Sequence, residues 1–281
     1  MIETILLPTD FSETATNAGL YAVELAFQIG AKKVVVYHTY EVSTTLSSLD
    51  DSTSNQIVAS ELSRQKSIAK LHEFTAMLTS KVIGNVEIEG YHSFAELPDA
   101  IMNLTETTGA QLIVMGITGG GAVKEAFVSS NSVKLARKSP IPVLIVPTAS
   151  NFKRIKEVVL VSDFKDVATT TPVQEIKNML TATGAHFYIV HVTSNATEAS
   201  NSAEKATLEE MFKEFRPTFH YETNSNFSDA VDSFVVNHKI DLVVVVPKKQ
   251  GVFDHLFGVN HTKTLAFRSQ IPLLAVQHTE A

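Results

Sequence analysis

Short runs of valine, isoleucine and leucine recur along the chain, and longer stretches with helical spacing of apolar residues separate them. Continuous apolar runs are typical of strands that are buried on both faces of a parallel sheet. We predict five strands in the first half, at residues 4–8, 33–38, 86–91, 112–116 and 143–146. The third strand alternates more and is expected near a sheet edge. Strands that alternate with helices predict right-handed βαβ crossovers and a doubly wound α/β fold.

The chain repeats itself, because ILLPTDFSETA near its start resembles VVLVSDFKDVA after its midpoint. This alignment pairs Asp10 with Asp163 at a shift of 153 residues. Farther along the shift becomes 130, and IPVLIVP matches IPLLAVQ. The two halves therefore share their strands and differ in the length of one connection. We predict two tandem domains, residues 1–150 and 151–281, each a five-stranded parallel sheet flanked by helices.

Composition narrows the class of protein. The 281 residues are 44% hydrophobic and 19% charged, as in a globular protein with a sizeable core. The net charge is −7 and no basic cluster is present, so we expect neither nucleic acid nor a membrane as a partner. Cysteine is absent, which excludes thiolate metal sites and cysteine nucleophiles. The opening MIETILLPTDF is typical of a strand and not of a signal peptide, so we expect a cytoplasmic protein.

Ligands of an open parallel sheet bind beyond the carboxyl ends of its strands. Three stretches of the first half lie at such ends: Pro8-Thr9-Asp10, His38-Thr39 and residues 116–132. Asp10 has two interpretations, as a contact to a ligand or as a cap of the helix that begins near Ser12. Asp163 fits the capping interpretation equally. His38 and its repeat partner His191 have no nucleophile or carboxylate at a telling spacing, which favours structural roles and predicts no catalytic residue.

The segment MGITGGGAVKEAFVSSNSVKLARK follows the fourth strand and is rich in glycine and serine. It matches neither the Walker A spacing nor G-x-G-x-x-G. Glycines nevertheless let backbone N–H groups approach an anion, and residues 129–132 precede a short helix whose N-terminus offers free donors. The segment is therefore either a cradle for a polyphosphate or a connection with an ordinary helix cap, and its composition leaves both open.

At this loop the sequence resembles the universal stress protein family, in a tandem form that covers nearly the whole chain. ILLPTDFSETA is similar to the family's opening strand and turn, and IPVLIVP to its closing strand. Nucleotide-binding members carry G-x₂-G-x₉-G-[ST] after strand four. The chain matches with Gly116, Gly119 and the hydroxyl of Ser130, and departs with Ser129 where the third glycine is expected.

The resemblance implies Rossmann-like domains of the adenine nucleotide alpha hydrolase-like type that bind ATP, ADP or AMP, with Mg²⁺ or Mn²⁺ as candidate companions. The adenine pocket would comprise Pro8, Asp10 and Thr39. Ribose and phosphate contacts would come from Met115, Gly116, Gly119, Ser129, Ser130 and Asn131. A Cβ at Ser129 would weaken binding if that position requires a close phosphate approach.

The second half gives an internal comparison. Its equivalents of Gly116, Gly119, Ser129 and Ser130 are Val246, Lys249, Val259 and Asn260. The surrounding core pattern survives this change, which argues against a purely structural need for the glycines and favours binding in the first half. The second half is predicted to be empty or to bind by another route. Lys248 and Lys249 could attract an anion there, but we interpret them as a solvated pair of lysines.

Three functions remain open. The first is a nucleotide-binding stress or signalling protein whose second half is structural or contacts an unknown protein partner. The second is a slow ATPase or nucleotidyl transferase, for which the loop offers only Lys124 and no acidic pair for a metal. The third is an interaction module in which both sites have decayed. The resemblance also implies that the halves pair within the chain near their closing strands, as a pseudo-dimer that could associate further into a homodimer.

Overall fold

The computed structural model describes residues 1–39, 53–93, 97–117, 131–193, 202–223, 226–248, 252 and 270–278. The strands are β1 Thr4–Pro8, β2 Lys33–Thr39, β3 Glu87–Ser93, β4 Leu112–Ile117, β5 Val143–Pro147, β6 Glu157–Ser162, β7 His186–Thr193, β8 Thr218–Thr223, β9 Leu242–Val245 and β10 Leu273–Ala275. The α-helices are α1 Glu13–Ile29, α2 Thr53–Thr79, α3 Leu97–Thr108, α4 Asn131–Lys138, α5 Val167–Thr170, α6 Val173–Thr183, α7 Ser202–Met211 and α8 Phe227–Asn237.

The strands of both halves form one sheet, in the order β3-β2-β1-β4-β5-β10-β9-β6-β7-β8. This confirms the α/β fold and places β3 at an edge, as its alternating pattern predicts. The closing strands β5 and β10 pair antiparallel, with Leu144 opposite Leu274, while the other neighbours are parallel. Each half thus contributes five parallel strands, as predicted, and the pairing of β5 with β10 joins the two halves in one sheet, because the edge strand of each half completes its hydrogen bonding on the other. The division into domains 1–150 and 151–281 stays a prediction.

Helices cover both faces of the sheet. Alternate residues of each strand point to opposite faces, so that Val34 and Val36 pack on the side of α1 and α2 while Val35 packs on the other side. All three side chains are fully buried. Among the described helices, none is long and apolar enough to cross a membrane.

The helix after the first strand differs between the halves. In the first half α1 is continuous from its N-cap Ser12 to its C-cap Gly30. Gly30 adopts a left-handed backbone with φ of 71°, which terminates the helix. In the second half Pro172 interrupts the expected single helix, which leaves the four-residue α5 and then α6. Proline has no N–H for the helix and forces the preceding residue out of helical geometry, and Thr171 is accordingly extended.

The segment between β5 and β6 is fixed against α1. The Asn17 amide donates to the carbonyl oxygens of Pro147 and Ser150, at 3.1 and 2.9 Å. Near the other end of α1, the Gln28 amide donates to Ile155 O at 2.8 Å and accepts from Ile155 N at 2.9 Å. The junction of the halves is therefore a hydrogen-bonded part of the structure.

Candidate functional site

The order of the strands reverses beside β1. The chain moves outward from β1 to β2 and β3 on one side and continues with β4 and β5 on the other. A crevice at the carboxyl ends of β1 and β4 is thus at the topological switch point, which is the usual ligand position of an open α/β sheet.

Pro8 ends the pairing of β1 with β4 at this crevice. Thr9 N donates to Tyr37 O of β2 at 2.8 Å. Backbone N–H groups of successive residues in a strand face opposite neighbouring strands, so the nitrogen of Pro8 faces β4. Because proline has no N–H, the ladder between β1 and β4 stops at the pair Leu6–Ile113. In the second half the corresponding ladder of β6 and β9 continues for two more pairs.

Asp10 shapes the turn from β1 into α1. Its Oδ1 accepts a hydrogen bond from Ser12 N at 2.9 Å, and Ser12 Oγ accepts one from Ala15 N at 3.2 Å. Ser12 is therefore the N-cap of α1, and Asp10 closes an Asx-turn just before the helix. The Asp10 side chain is exposed at the crevice and makes no ion pair within the described part of the chain. Its contact with a ligand stays a prediction.

His38 supports the same turn from β2. Its Nδ1 lies 2.7 Å from Thr9 O, to which it donates, and its ring centroid lies 4.3 Å from that of Phe11. Burial is the main cause that lowers the pKa of His38 below its ordinary value. These contacts give His38 the structural role that its isolation in sequence predicts.

The second half repeats this arrangement. His191 Nδ1 lies 3.0 Å from Ser162 O, and its ring stacks on Phe164 with centroids 4.6 Å apart. Phe11 and Phe164 both adopt left-handed backbone, with φ of 63° and 51°. No role of these two phenylalanines was predicted, but Phe11 and Phe164 align in the repeat at the shift of 153 residues, which is the signal that could have indicated one.

Gly116 brings β4 close to the start of α1. An ideal Cβ on this glycine would lie 2.5 Å from Thr14 O, far inside van der Waals contact. The glycine therefore has a packing role, and the argument that the second half shows no structural need for it is wrong. In the second half the equivalent residue is Val246, and Val167, the equivalent of Thr14, begins the short helix α5 instead of a continuous helix.

A hydrogen bond joins the first turn of α4 to strand β4. Asn131 begins the helix, and the buried Ser132 donates its hydroxyl to Gly116 O at 2.8 Å. Met115 is buried in the core, so only its backbone faces the crevice. The structure thus brings Pro8, Asp10, Met115, Gly116 and Asn131 to one end of β1 and β4, with Thr39 at the end of the adjacent β2. Gly119, Ser129 and Ser130 lie outside the described residues, as does Lys124.

A sequence model described as the universal stress protein family matches residues 1–147. The chain belongs to this family. A universal stress protein of Thermus aquaticus is 33% identical over 146 residues, which are 52% of this chain and 99% of that protein. Universal stress protein Sll1654 of Synechocystis is 27% identical over 150 residues, which are 52% of this chain and 87% of that protein.

The fold of the whole chain also has a solved counterpart. The crystal structure of a universal stress protein from Archaeoglobus fulgidus is 17% identical and superposes with a TM-score of 0.68, over 99% of this chain and 97% of that one. This likeness supports the architecture of both halves together. In the described part of the present universal stress protein, no three histidine, aspartate or glutamate side chains cluster as metal ligands would.

The equivalent crevice of the second half contains an ion pair. Lys248 Nζ lies 3.0 Å from Asp163 Oδ1 and 2.9 Å from Lys165 O, and the two charged side chains are only 23% and 25% exposed. The interpretation of Lys248 as a solvated lysine is therefore wrong, while Lys249 lies outside the described residues. Asp163 thus forms an ion pair with a lysine of the same chain, whereas its equivalent in the first half, Asp10, is exposed.

Replacing Lys248 with methionine is expected to lower the free energy of unfolding by about 1–2 kcal/mol, because it leaves a largely buried carboxylate without its charged donor. Chemical denaturation measures this loss. The matched control is Lys32→Met, which removes an exposed ion pair with Glu3, 71% and 45% exposed, and should change stability by less than about 0.5 kcal/mol. Equal losses in the two variants would contradict a special role for the Lys248 ion pair.

Proposed function

We propose that the first half binds ATP, or the related ADP or AMP, across the carboxyl ends of β1 and β4, and that the second half does not. The observation that carries this proposal is the ladder between β1 and β4, which ends early at Pro8 only in the first half. Beyond this point the backbones of β1 and β4 do not pair with each other. Their separation at the topological switch point leaves backbone polar groups and space for a ligand.

Each predicted site residue has a role in this proposal. The exposed carboxylate of Asp10, with the strand ends at Pro8 and Thr39, would hold the base. Backbone groups at Met115 and Gly116 would contact the ribose. The phosphates would lie against Gly119, Ser129, Ser130 and the N-terminus of α4 at Asn131, where unpaired N–H groups and the helix dipole favour negative charge.

The proposed function is binding in a stress response or in signalling, with Mg²⁺ or Mn²⁺ as a companion of the phosphates and at most slow hydrolysis. The second half would hold the first in place or contact a protein partner. Ser129 favours one alternative, an interaction module without a nucleotide, because the chain has serine at the third glycine position of the family's nucleotide-binding pattern.

Calorimetric titration of ATP with Mg²⁺ into the intact chain tests the proposal, beside Pro8→Val. We expect one site per chain. Valine restores the N–H that faces β4, as Val161 provides it in the second half. The affinity for ATP should fall roughly tenfold, which corresponds to about 1.4 kcal/mol, the contribution of one hydrogen bond.

The control for this titration is Pro147→Val at the end of β5. Thr148 N donates to Ile117 O of β4, so the nitrogen of Pro147 faces away from β4 and its replacement should leave the affinity unchanged. Absence of heat, together with no thermal stabilisation by ATP, ADP or AMP, would overturn the proposal and favour the interaction module.

A further inference from the structure

Gln277 of the second half contacts the helix that begins at the proposed phosphate site of the first half. It follows β10, and its side-chain Nε2 lies 2.6 Å from Arg137 O and 3.3 Å from Ala136 O. Both carbonyl oxygens belong to the last turn of α4. One amide group therefore donates to the C-terminal end of a helix in the other half of the chain.

This contact completes the anchoring of α4. The last carbonyl groups of a helix have no partner within it, and a side-chain donor that satisfies them stabilises the final turn. At the other end Ser132 Oγ ties the helix to Gly116 O. Because the anchored residues Ser132 and Arg137 are five positions apart, only about 7.5 Å of helix separates the two anchors. A shift at its C-terminus therefore displaces the N–H groups at its N-terminus.

The repeat shows that the second half donates this hydrogen bond to the first half and that the equivalent residue of the first half cannot donate one in return. At the shift of 130 residues, the equivalent of Gln277 in the first half is Pro147, which has no side-chain donor. The first half thus has no matching side chain at this position with which to hold a helix of the second. The direction agrees with the proposed nucleotide site, which lies in the first half alone.

We propose that Gln277 is a positioning residue through which the second half sets the affinity of the first half for the phosphates of the nucleotide. This inference rests on the nucleotide site proposed above. The side chain acts through α4 and makes no contact with the ligand. Its removal should weaken binding of the phosphates and leave binding of the adenosine part unchanged.

The test compares ATP and adenosine binding by the full chain, the Gln277→Ala variant and the Gln277→Glu variant. Glutamate keeps the size of glutamine but has no N–H, and its charge opposes the carbonyl end of the helix. We expect the Kd for ATP to rise roughly three- to tenfold in Gln277→Ala and at least as much in Gln277→Glu, the range of one hydrogen bond. The Kd for adenosine should stay within about twofold of the unchanged chain's in both variants.

The matched control is Gln28→Ala. Gln28 also hydrogen-bonds across the junction, to Ile155, but it lies at the end of α1 away from the crevice. This variant should lose thermal stability and keep its affinity for ATP. Unchanged ATP affinity in the Gln277 variants, or equal losses for ATP and adenosine, would overturn the role of Gln277 while the nucleotide site stands. Failure of the unchanged chain to bind ATP would overturn both.

Discussion

Replacing Gly116 with alanine is expected to lower the free energy of unfolding by about 2–3 kcal/mol, the cost of overpacking a tight contact. The added Cβ would lie 2.5 Å from Thr14 O and 2.6 Å from Thr14 Cγ2. The oxygen is backbone at the start of α1 and can yield only if the helix moves away from β4. Chemical denaturation with two spectroscopic probes measures the loss.

Gly30→Ala is the matched control for this prediction. Gly30 has a φ of +71° and nothing within 4 Å of its ideal Cβ, so alanine there should cost only about 1 kcal/mol of backbone strain. Adding Thr14→Ser to Gly116→Ala removes the methyl contact and keeps the oxygen, so stability should not recover. Recovery in this double variant, or equal costs at the two glycines, would contradict the close approach of α1.

Replacing Gly119 with arginine is expected to weaken ATP binding by at least about 100-fold, because the loss of several backbone contacts to phosphate exceeds 2.7 kcal/mol. In the proposed site this glycine lies against the phosphates, and a side chain there would hold them away from the backbone. The second half has Lys249 at the equivalent position and is proposed to be empty. Calorimetric titration measures the loss.

The control introduces the same residue at the same position of the repeat. Lys249→Arg should leave the affinity and the stoichiometry of ATP binding unchanged. A Gly119→Arg variant that binds ATP as the unchanged chain does would show that the glycine loop is only a connection. Loss of binding in Lys249→Arg would move the site to the second half.

The strands of the first half were predictable to within two residues. Four of them are short apolar runs that are largely buried, whereas the edge strand β3 is partly exposed and was predicted from its alternating pattern. The predicted segment 33–38 corresponds to β2 at Lys33–Thr39, and 86–91 corresponds to β3 at Glu87–Ser93. The continuous sheet was only partly predictable. Pairing of β5 with β10 joins residues more than 120 positions apart, as Leu144 and Leu274 show, and no local pattern specifies such a partner.

The residues at the candidate site were predictable from the ends of the strands, but their physical roles were not. The effect of Pro8 depends on which neighbouring strand its nitrogen faces, and that requires the register of the sheet. The packing role of Gly116 depends on how closely α1 crosses β4. The ion pair of Lys248 with Asp163 joins residues that are 85 positions apart. No local pattern indicates this partner, which is why Lys248 was interpreted as solvated.

We propose that the nucleotide lies in the first half alone, at the carboxyl ends of β1 and β4, and a crystal structure of the full chain with ATP and Mg²⁺ would show where it binds. We expect adenine beside Asp10, phosphates at the N-terminus of α4, and the Lys248–Asp163 ion pair intact with no nucleotide beside it. A nucleotide at the carboxyl ends of β6 and β9, with that ion pair broken, would overturn the proposal.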